Sequence, residues 1–130
     1  MNPYNSDTRT VTKLDENTLL IRYADNVLVQ LDEVKNNYRL SDLFSKKQAV
    51  KKIVVLGVNT DFSPEARVYI HEEDQHHNNK IIAQAVVVKT VNQHLMVEHF
   101  LKNAKRGFPV QAFDTEEEAV HWIKQQPVSA

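Results

Sequence analysis

Two long apolar runs restrict what this 130-residue chain can fold into more than any other feature. Residues 53–58 read IVVLGV, and residues 81–88 read IIAQAVVV. Runs this rich in β-branched residues are typical of strands that are buried on both faces of a sheet and have parallel neighbours. The sequence therefore predicts an α/β fold with these two strands at the centre of the sheet.

The first third of the chain alternates between apolar and polar residues instead. Between Val11 and Leu31 the apolar positions recur at period two, with breaks at residues 15–17 and at Asp25-Asn26. That period is typical of strands covered on one face. Because Asp and Asn tolerate the positive φ of a two-residue hairpin, the pattern predicts an antiparallel meander of three strands.

Helix start signals follow. The first helix is predicted to begin after Asp32 as its N-cap and to end at the basic segment 46–52, before the strand that starts at Ile53. Ser63-Pro64-Glu65 provides a capping hydroxyl, a proline at the first helical position and an acid in the first turn. These residues predict the start of a second helix.

Two more helices are predicted towards the carboxyl end of the chain. Thr90 and Gln93 fit a capping box, and the last helix begins at Asp114 or Thr115. Residues 108–113 are predicted to form a short strand between these helices, in which Pro109 requires either an edge position in the sheet or a place among the first residues of the strand.

The predicted fold is a single α/β domain over residues 9–126. Its mixed five- to six-stranded sheet has antiparallel N-terminal strands and later parallel ones, with about four helices packed on it. Residues 1–8 are predicted to form a flexible N-terminus and residues 127–130 a tail.

Composition argues against several classes of function. With 16 Lys and Arg against 17 Asp and Glu, the chain has a net charge of −1 and no general affinity for phosphate, so we expect no nucleic-acid partner. The chain has no Cys and only two Gly, which argues against thiol chemistry and Gly-rich phosphate loops.

We find no signal peptide and no apolar run of bilayer length, so the expected location is the cytoplasm, without integral membrane association. Catalytic motifs are also missing, so we expect a non-enzymatic protein without a cofactor.

Three segments together resemble a known family. They are Asp61-Phe62-Ser63-Pro64-Glu65-Ala66-Arg67, the strand Ala85–Val88 with the apolar helix after it, and the ending from Gly107 to Ile123. In these segments the chain is similar to the SpoIIAA-like, STAS/SEC14-type small α/β proteins of bacteria. The resemblance extends from residue 10 to residue 126 and implies the same single-domain fold.

The resemblance implies a regulatory function. Anti-sigma-factor antagonists of the STAS group carry a phosphorylatable Ser where a central strand passes into a helix, and Ser63 has that position here. Free N–H groups and the helix dipole stabilise a phosphate there, but Glu65 would repel it, so an ordinary N-cap is the preferred interpretation of Ser63. The implied function is a non-enzymatic regulatory or protein-interaction module that contacts its partner through Asp61, Ser63, Glu65 and Arg67. The partner would be another protein or a second copy of the chain in a homodimer.

The same resemblance implies an alternative. SEC14-type relatives bind lipids in an apolar cleft, so the protein could be a carrier of an apolar or lipid-like ligand. The candidate cleft residues lie on one apolar helix: Val91, Leu95, Met96 and Phe100.

Residues 71–77, which read HEEDQHH, are the densest group of potential metal ligands. His71 and Asp74 are three residues apart and His76 is four residues after Glu72, so either spacing can place two ligands on one helix face. A solvated helix end explains the same residues, and no third ligand is indicated elsewhere. We therefore expect no specific metal site.

Overall fold

In the computed structural model, residues 7–45, 49–76, 81–103 and 108–127 are described, with the backbone alone at 45, 74–76 and 102–103. The strands are β1 (Arg9–Lys13), β2 (Thr18–Tyr23), β3 (Leu28–Val29), β4 (Val50–Val55), β5 (Asp61–Phe62), β6 (Ile81–Val87) and β7 (Val110–Phe113). The helices are α1 (Leu31–Ser45), α2 (Pro64–His76), α3 (Val91–Asn103) and α4 (Glu116–Lys124). The predicted flexible N-terminus and tail lie largely outside the described residues and stay predictions.

Five strands form the main sheet, in the order β1-β2-β4-β6-β7. β1 is antiparallel to β2, and every other neighbouring pair is parallel. The path from β2 through β4 and β6 to β7 always steps in the same direction, so right-handed crossovers place α1, α2 and α3 on one face. The opposite face packs against α4. The predicted mixed sheet and the predicted four helices are confirmed.

The sheet explains why two runs of the sequence are apolar throughout. On β4, Ile53 and Val55 face α4, whereas Val54 faces the layer of three helices. On β6, Ala85 and Val87 belong to the α4 side in the same way. Because both faces are covered, alternation between polar and apolar residues disappears in these strands.

The predicted antiparallel meander was wrong in its third strand. The turn at Asp25-Asn26 forms, with Asn26 at φ 59°. Its hydrogen bonds, however, cross to the loop after β4: the Asn26 N–H donates to the carbonyl of Val58 (2.8 Å), and the Asp25 carboxylate accepts from the Val58 N–H (2.7 Å). β2 therefore pairs with β4, and β3 pairs in parallel with β5 in a separate two-stranded sheet.

The predicted boundary at Ile53 was also wrong, because Lys51 and Lys52 belong to β4 and are buried. The Lys51 ammonium donates to the carbonyl of Ile123 near the carboxyl end of α4 (3.0 Å). The Lys52 ammonium lies 4.7 Å from the ring centroid of Tyr38. Their aliphatic stems pack within the fold while the charges find polar or π partners, so these lysines do not form a solvated basic segment.

Three predicted helix starts are confirmed by their caps. The Ser63 hydroxyl accepts from the N–H of Ala66 (3.2 Å), and Pro64 is the first residue of α2. The capping box of α3 forms, with Thr90 and Gln93 exchanging hydrogen bonds (3.2 and 3.3 Å). At α4 the cap is Thr115.

The start of α1 differs from the prediction. The helix begins at Leu31, and the N–H of Val34 donates to the carbonyl of Gln30, so Asp32 lies in the first turn instead of at the N-cap. An acid there still complements the helix dipole. β7 is an edge strand, as predicted, but it begins at Val110, so Pro109 directly precedes it. Within the described ranges, no helix is long and apolar enough to cross a bilayer.

The buried side chain of Gln93 joins the start of α3 to the loop after β4. Its amide nitrogen donates to the carbonyls of Gly57 (2.8 Å) and Thr60 (3.1 Å). Its amide oxygen accepts from the N–H groups of Lys89 (2.7 Å) and Thr90 (3.3 Å). These four hydrogen bonds fix the distance between the carboxyl ends of β4 and β6.

We predict that Gln93→Leu lowers the free energy of unfolding by about 3 kcal/mol, because it leaves several buried backbone groups without a partner. Asn92→Leu is the matched control at the exposed neighbouring position, and its effect should stay within about 0.5 kcal/mol. Urea unfolding of both variants measures the difference. Equal unfolding midpoints for the two variants would contradict this role of Gln93.

We also predict that Gly57→Ala destabilises the fold by about 2 kcal/mol, because an added methyl group overpacks the site. A Cβ at Gly57 would lie 2.6 Å from the carbonyl carbon and oxygen of Ala24, and 2.7 Å from the nitrogen of Asp25. Val58→Ala, at an exposed neighbouring position, is the control. Urea unfolding of both variants tests the close approach, and a wild-type midpoint for Gly57→Ala would rule it out.

Candidate ligand-binding site

A cavity of about 610 Å³ lies between α2 and α3, above the sheet. Its floor is formed by Val54, Gln84, Val86 and Val110. The wall on the α2 side is Arg67 and Ile70, and the wall on the α3 side includes Gln93, Leu95, Met96, Val97, His99, Phe100 and Leu101. Pockets that bind small molecules are commonly about 300–1,000 Å³ and mostly apolar, and this cavity has both properties.

The sequence of α2 explains why the space between the helices stays open. Ala66 is the only α2 residue in the buried core among the described side chains, and an alanine fills little volume. On α3 the corresponding core residue is Val97. Farther along, the rings of His71 and Phe100 meet edge to face, with centroids 6.0 Å apart. The buried apolar residues of the two helices are therefore small, and the larger side chains that pack on the core, Ile70, Met96 and Leu101, stay partly exposed beside a gap over the floor.

One end of the cavity is polar. Asn59 and Thr60 from the loop after β4 line it together with Asp61, the first residue of β5, and with Thr90 and Asn92 from the start of α3. These residues follow the carboxyl ends of parallel strands, which is where α/β sheets commonly bind ligands.

An ion pair lies at this polar end. The Arg67 guanidinium donates to the carboxylate of Asp61 (2.5 Å) and to the carbonyl of Phe62 (3.1 Å). About half of each charged side chain is exposed, 49% for Arg67 and 54% for Asp61. The two charges therefore largely cancel at the rim.

The four residues predicted to contact a protein partner have separate environments. Asp61 and Arg67 line the cavity, and Glu65 is exposed away from it. Ser63 is 3% exposed, its N–H donates to the carbonyl of Val29 (2.9 Å), and its hydroxyl caps α2. In this conformation the hydroxyl of Ser63 is shielded from a modifying enzyme.

Of the four predicted cleft residues, three line the cavity and one does not. Leu95, Met96 and Phe100 line the cavity, so the structure brings them together with Asp61 and Arg67. The two surfaces that the sequence suggested separately thus meet at a single site.

Val91 does not line this cavity. Its side chain is 76% exposed and borders a shallow depression with His94 and Asp114 at the start of α3. It therefore belongs to the outer surface of α3.

Sequence reasoning missed Gln84, which lies on the cavity floor. Its side chain is half-buried, and no hydrogen bond joins its side-chain amide to another described residue. Gln84 is the one polar residue within the run 81–88, at a position that faces α2 and α3. That interruption of an apolar run was the signal that could have identified it.

The suggested metal ligands are only partly described. His71 packs its ring against Phe100, whereas the side chains of Asp74 and His76 lie outside the described residues. Among the side chains that are described, no group of three or more His, Cys, Asp or Glu residues could hold a metal ion. The weak candidate cluster of His71, Asp74 and His76 is therefore untested, and the expectation of no specific metal site stays a prediction.

A second group of buried polar side chains lies between β1, β2 and α1. The Arg9 guanidinium is 3.3 Å from the Glu33 carboxylate, and the Asn37 amide nitrogen donates to the Tyr23 hydroxyl (2.6 Å). Burial, and after it the charge of Glu33, raise the pKa of Tyr23, so its hydroxyl stays neutral. These contacts attach α1 to the sheet, so we assign them a structural role.

Comparisons with known proteins agree with this architecture. Residues 12–127 match a family described as a domain of unknown function, DUF7793. No curated protein matches the chain. Among solved structures, it is similar to an uncharacterized protein of the DUF3478 family with a SpoIIAA-like fold from Shewanella loihica PV-4, with a TM-score of 0.62 and 9% identity. That similarity covers 92% of this chain and 98% of the other.

At that identity the similarity concerns the fold alone, and the expected SpoIIAA-like fold is confirmed. The family match is to DUF7793 and not to a STAS family. The chain therefore belongs to the DUF7793 family and has a SpoIIAA-like fold.

Proposed function

We propose that the protein is a non-enzymatic binding module that holds a small apolar ligand in the cavity between α2 and α3. The observation that carries the proposal is the cavity itself, which combines a volume of about 610 Å³, mostly apolar walls and a polar end at the carboxyl ends of the strands. A cavity with these properties suits a compact molecule with an apolar body.

The apolar walls provide the driving force. Leu95 is 56% exposed although it borders the cavity, and Met96 and Phe100 are only half-buried. A ligand that covers these side chains removes apolar surface from water, which stabilises the complex by about 25 cal/mol for each Å².

The ion pair at the polar end of the cavity favours an uncharged ligand. Asp61 and Arg67 are engaged with each other, so neither charge is available to a ligand unless the ion pair breaks.

A regulatory module that binds a protein is the second candidate, and the outer surface of α3 favours it. Val91 and Leu95 are one helical turn apart and are 76% and 56% exposed. A protein partner or a second copy of the chain would cover both. A switch by phosphorylation of Ser63 has less support, because its hydroxyl caps α2 in a buried position.

We predict that the wild-type protein binds the fluorescent probe N-phenyl-1-naphthylamine saturably and that Leu95→Glu weakens this binding at least about tenfold. The substitution places a carboxylate at the cavity wall, where an apolar ligand desolvates it. Val68→Glu is the matched control, because Val68 is exposed to the same extent (57%) on α2 and does not line the cavity. Fluorescence titration measures the three affinities. Lack of saturable binding, or equal loss in both variants, would contradict the proposal.

The second candidate predicts a different response. Val91→Asp should abolish a protein complex while leaving probe binding unchanged, because Val91 lies outside the cavity. Native mass spectrometry of protein purified gently from its host measures bound protein, subunit number and bound small molecules together. A protein complex that survives Val91→Asp would rule out this surface, and a small-molecule adduct lost on denaturation would favour the cavity.

A further inference from the structure

We propose that Gln84 determines which ligand the cavity accepts. It receives an uncharged group with a hydrogen-bond donor beside an acceptor, of the carboxamide type, attached to an apolar body. This inference rests on the proposed function, since it concerns the same cavity.

The position of Gln84 is unusual for an amide. In the parallel sheet it lies between Lys52 of β4 and Val110 of β7, and its side chain faces the cavity. The rest of the floor is formed by valines 54, 86 and 110. A valine would continue the apolar floor at this position, whereas the half-buried amide of Gln84 places a donor and an acceptor among apolar side chains.

The hydrogen-bonding capacity of Gln84 is unused within the described part of the chain. Neither the oxygen nor the nitrogen of its side-chain amide bonds to another described residue. Gln93, the other glutamine of the cavity, has its amide occupied by four backbone groups of the surrounding loops. Gln93 is therefore a structural residue, and Gln84 is the glutamine available to a ligand.

The Gln84 amide and the residues around it favour an uncharged group on the ligand. A glutamine side chain presents an acceptor oxygen beside a donor nitrogen, so its complement has the reverse arrangement. Lys52 is the neighbour of Gln84 on β4 but does not line the cavity, because its ammonium lies against the ring of Tyr38. The charged rim residues pair with each other. Among the described residues that line the cavity, the Arg67 guanidinium is thus paired with Asp61 and not with Gln84.

The depth of Gln84 sets the orientation of the ligand. Gln84 precedes Val86 by two residues on β6, so it lies about 7 Å farther from the carboxyl end of the strand. The polar group of the ligand therefore reaches the floor, and its apolar body lies against Leu95, Met96 and Phe100.

Three matched probes test this inference: naphthalene-2-carboxamide, 2-acetylnaphthalene and 2-naphthoate. The methyl ketone has the shape of the carboxamide but lacks its donor, and the carboxylate adds a charge. We expect wild-type protein to bind the carboxamide about tenfold more tightly than the methyl ketone, because one hydrogen bond is lost and the Gln84 oxygen is left unpaired. Isothermal titration calorimetry measures each affinity.

In Gln84→Leu and Gln84→Met, the carboxamide and the methyl ketone should bind equally, with affinity for the methyl ketone kept or increased. Two variants of similar volume are used so that one remains if the other fails to fold. Gln111→Leu is the control, because Gln111 is exposed on β7, does not line the cavity and should keep the wild-type preference.

Equal affinities of the carboxamide and the methyl ketone for wild-type protein would overturn the role of Gln84 and leave the cavity as an apolar site. That role is overturned as well if the preference survives in both Gln84 variants, or if the carboxylate binds more tightly than the carboxamide. Failure of all three probes to bind would overturn the proposed function together with this inference.

Discussion

The four hydrogen bonds of the Gln93 side chain determine where α3 begins relative to the sheet. Gln93 is 4% exposed, and its amide connects the loop after β4 with the loop after β6. Thr60 extends the same connection to β2, because its hydroxyl donates to the carbonyl of Ala24 (2.9 Å) and accepts from the N–H of Gly57 (2.8 Å). Three strand ends are thus held together, and the polar end of the cavity is built on them.

The topology explains why the cavity lies on this face. Successive crossovers in one direction place α1, α2 and α3 side by side, so each helix must fill the space beside its neighbour. α1 and α2 do so with aromatic rings, since Tyr38 and Tyr69 meet edge to face with centroids 5.7 Å apart. Among the described side chains of α2 and α3, the buried apolar residues are Ala66 and Val97. Ile70, Met96 and Leu101 pack on the core but are only partly buried, so a gap stays open between the two helices.

Local signals made much of the fold predictable. The caps at Ser63, Thr90 and Thr115 depend on residues three positions away, so the sequence alone identifies them. Strand pairing depends on contacts distant in the chain. The period of β3 therefore gave no indication that it pairs with β5 instead of β2, and the charges of Lys51 and Lys52 concealed the start of β4 at Val50.

The candidate site was predictable in parts. Asp61 and Arg67 stood out near a helix start, and Leu95, Met96 and Phe100 stood out as an apolar face. Their meeting at one cavity follows from the packing of α2 beside α3, which periodicity does not encode. The most direct measurement is mapping of backbone amide NMR shifts during titration with N-phenyl-1-naphthylamine. We predict shifts concentrated at residues 67–70, 84–86 and 95–101. Shifts confined to α4 and the opposite face of the sheet, or no shifts at saturating probe, would contradict a ligand site between α2 and α3.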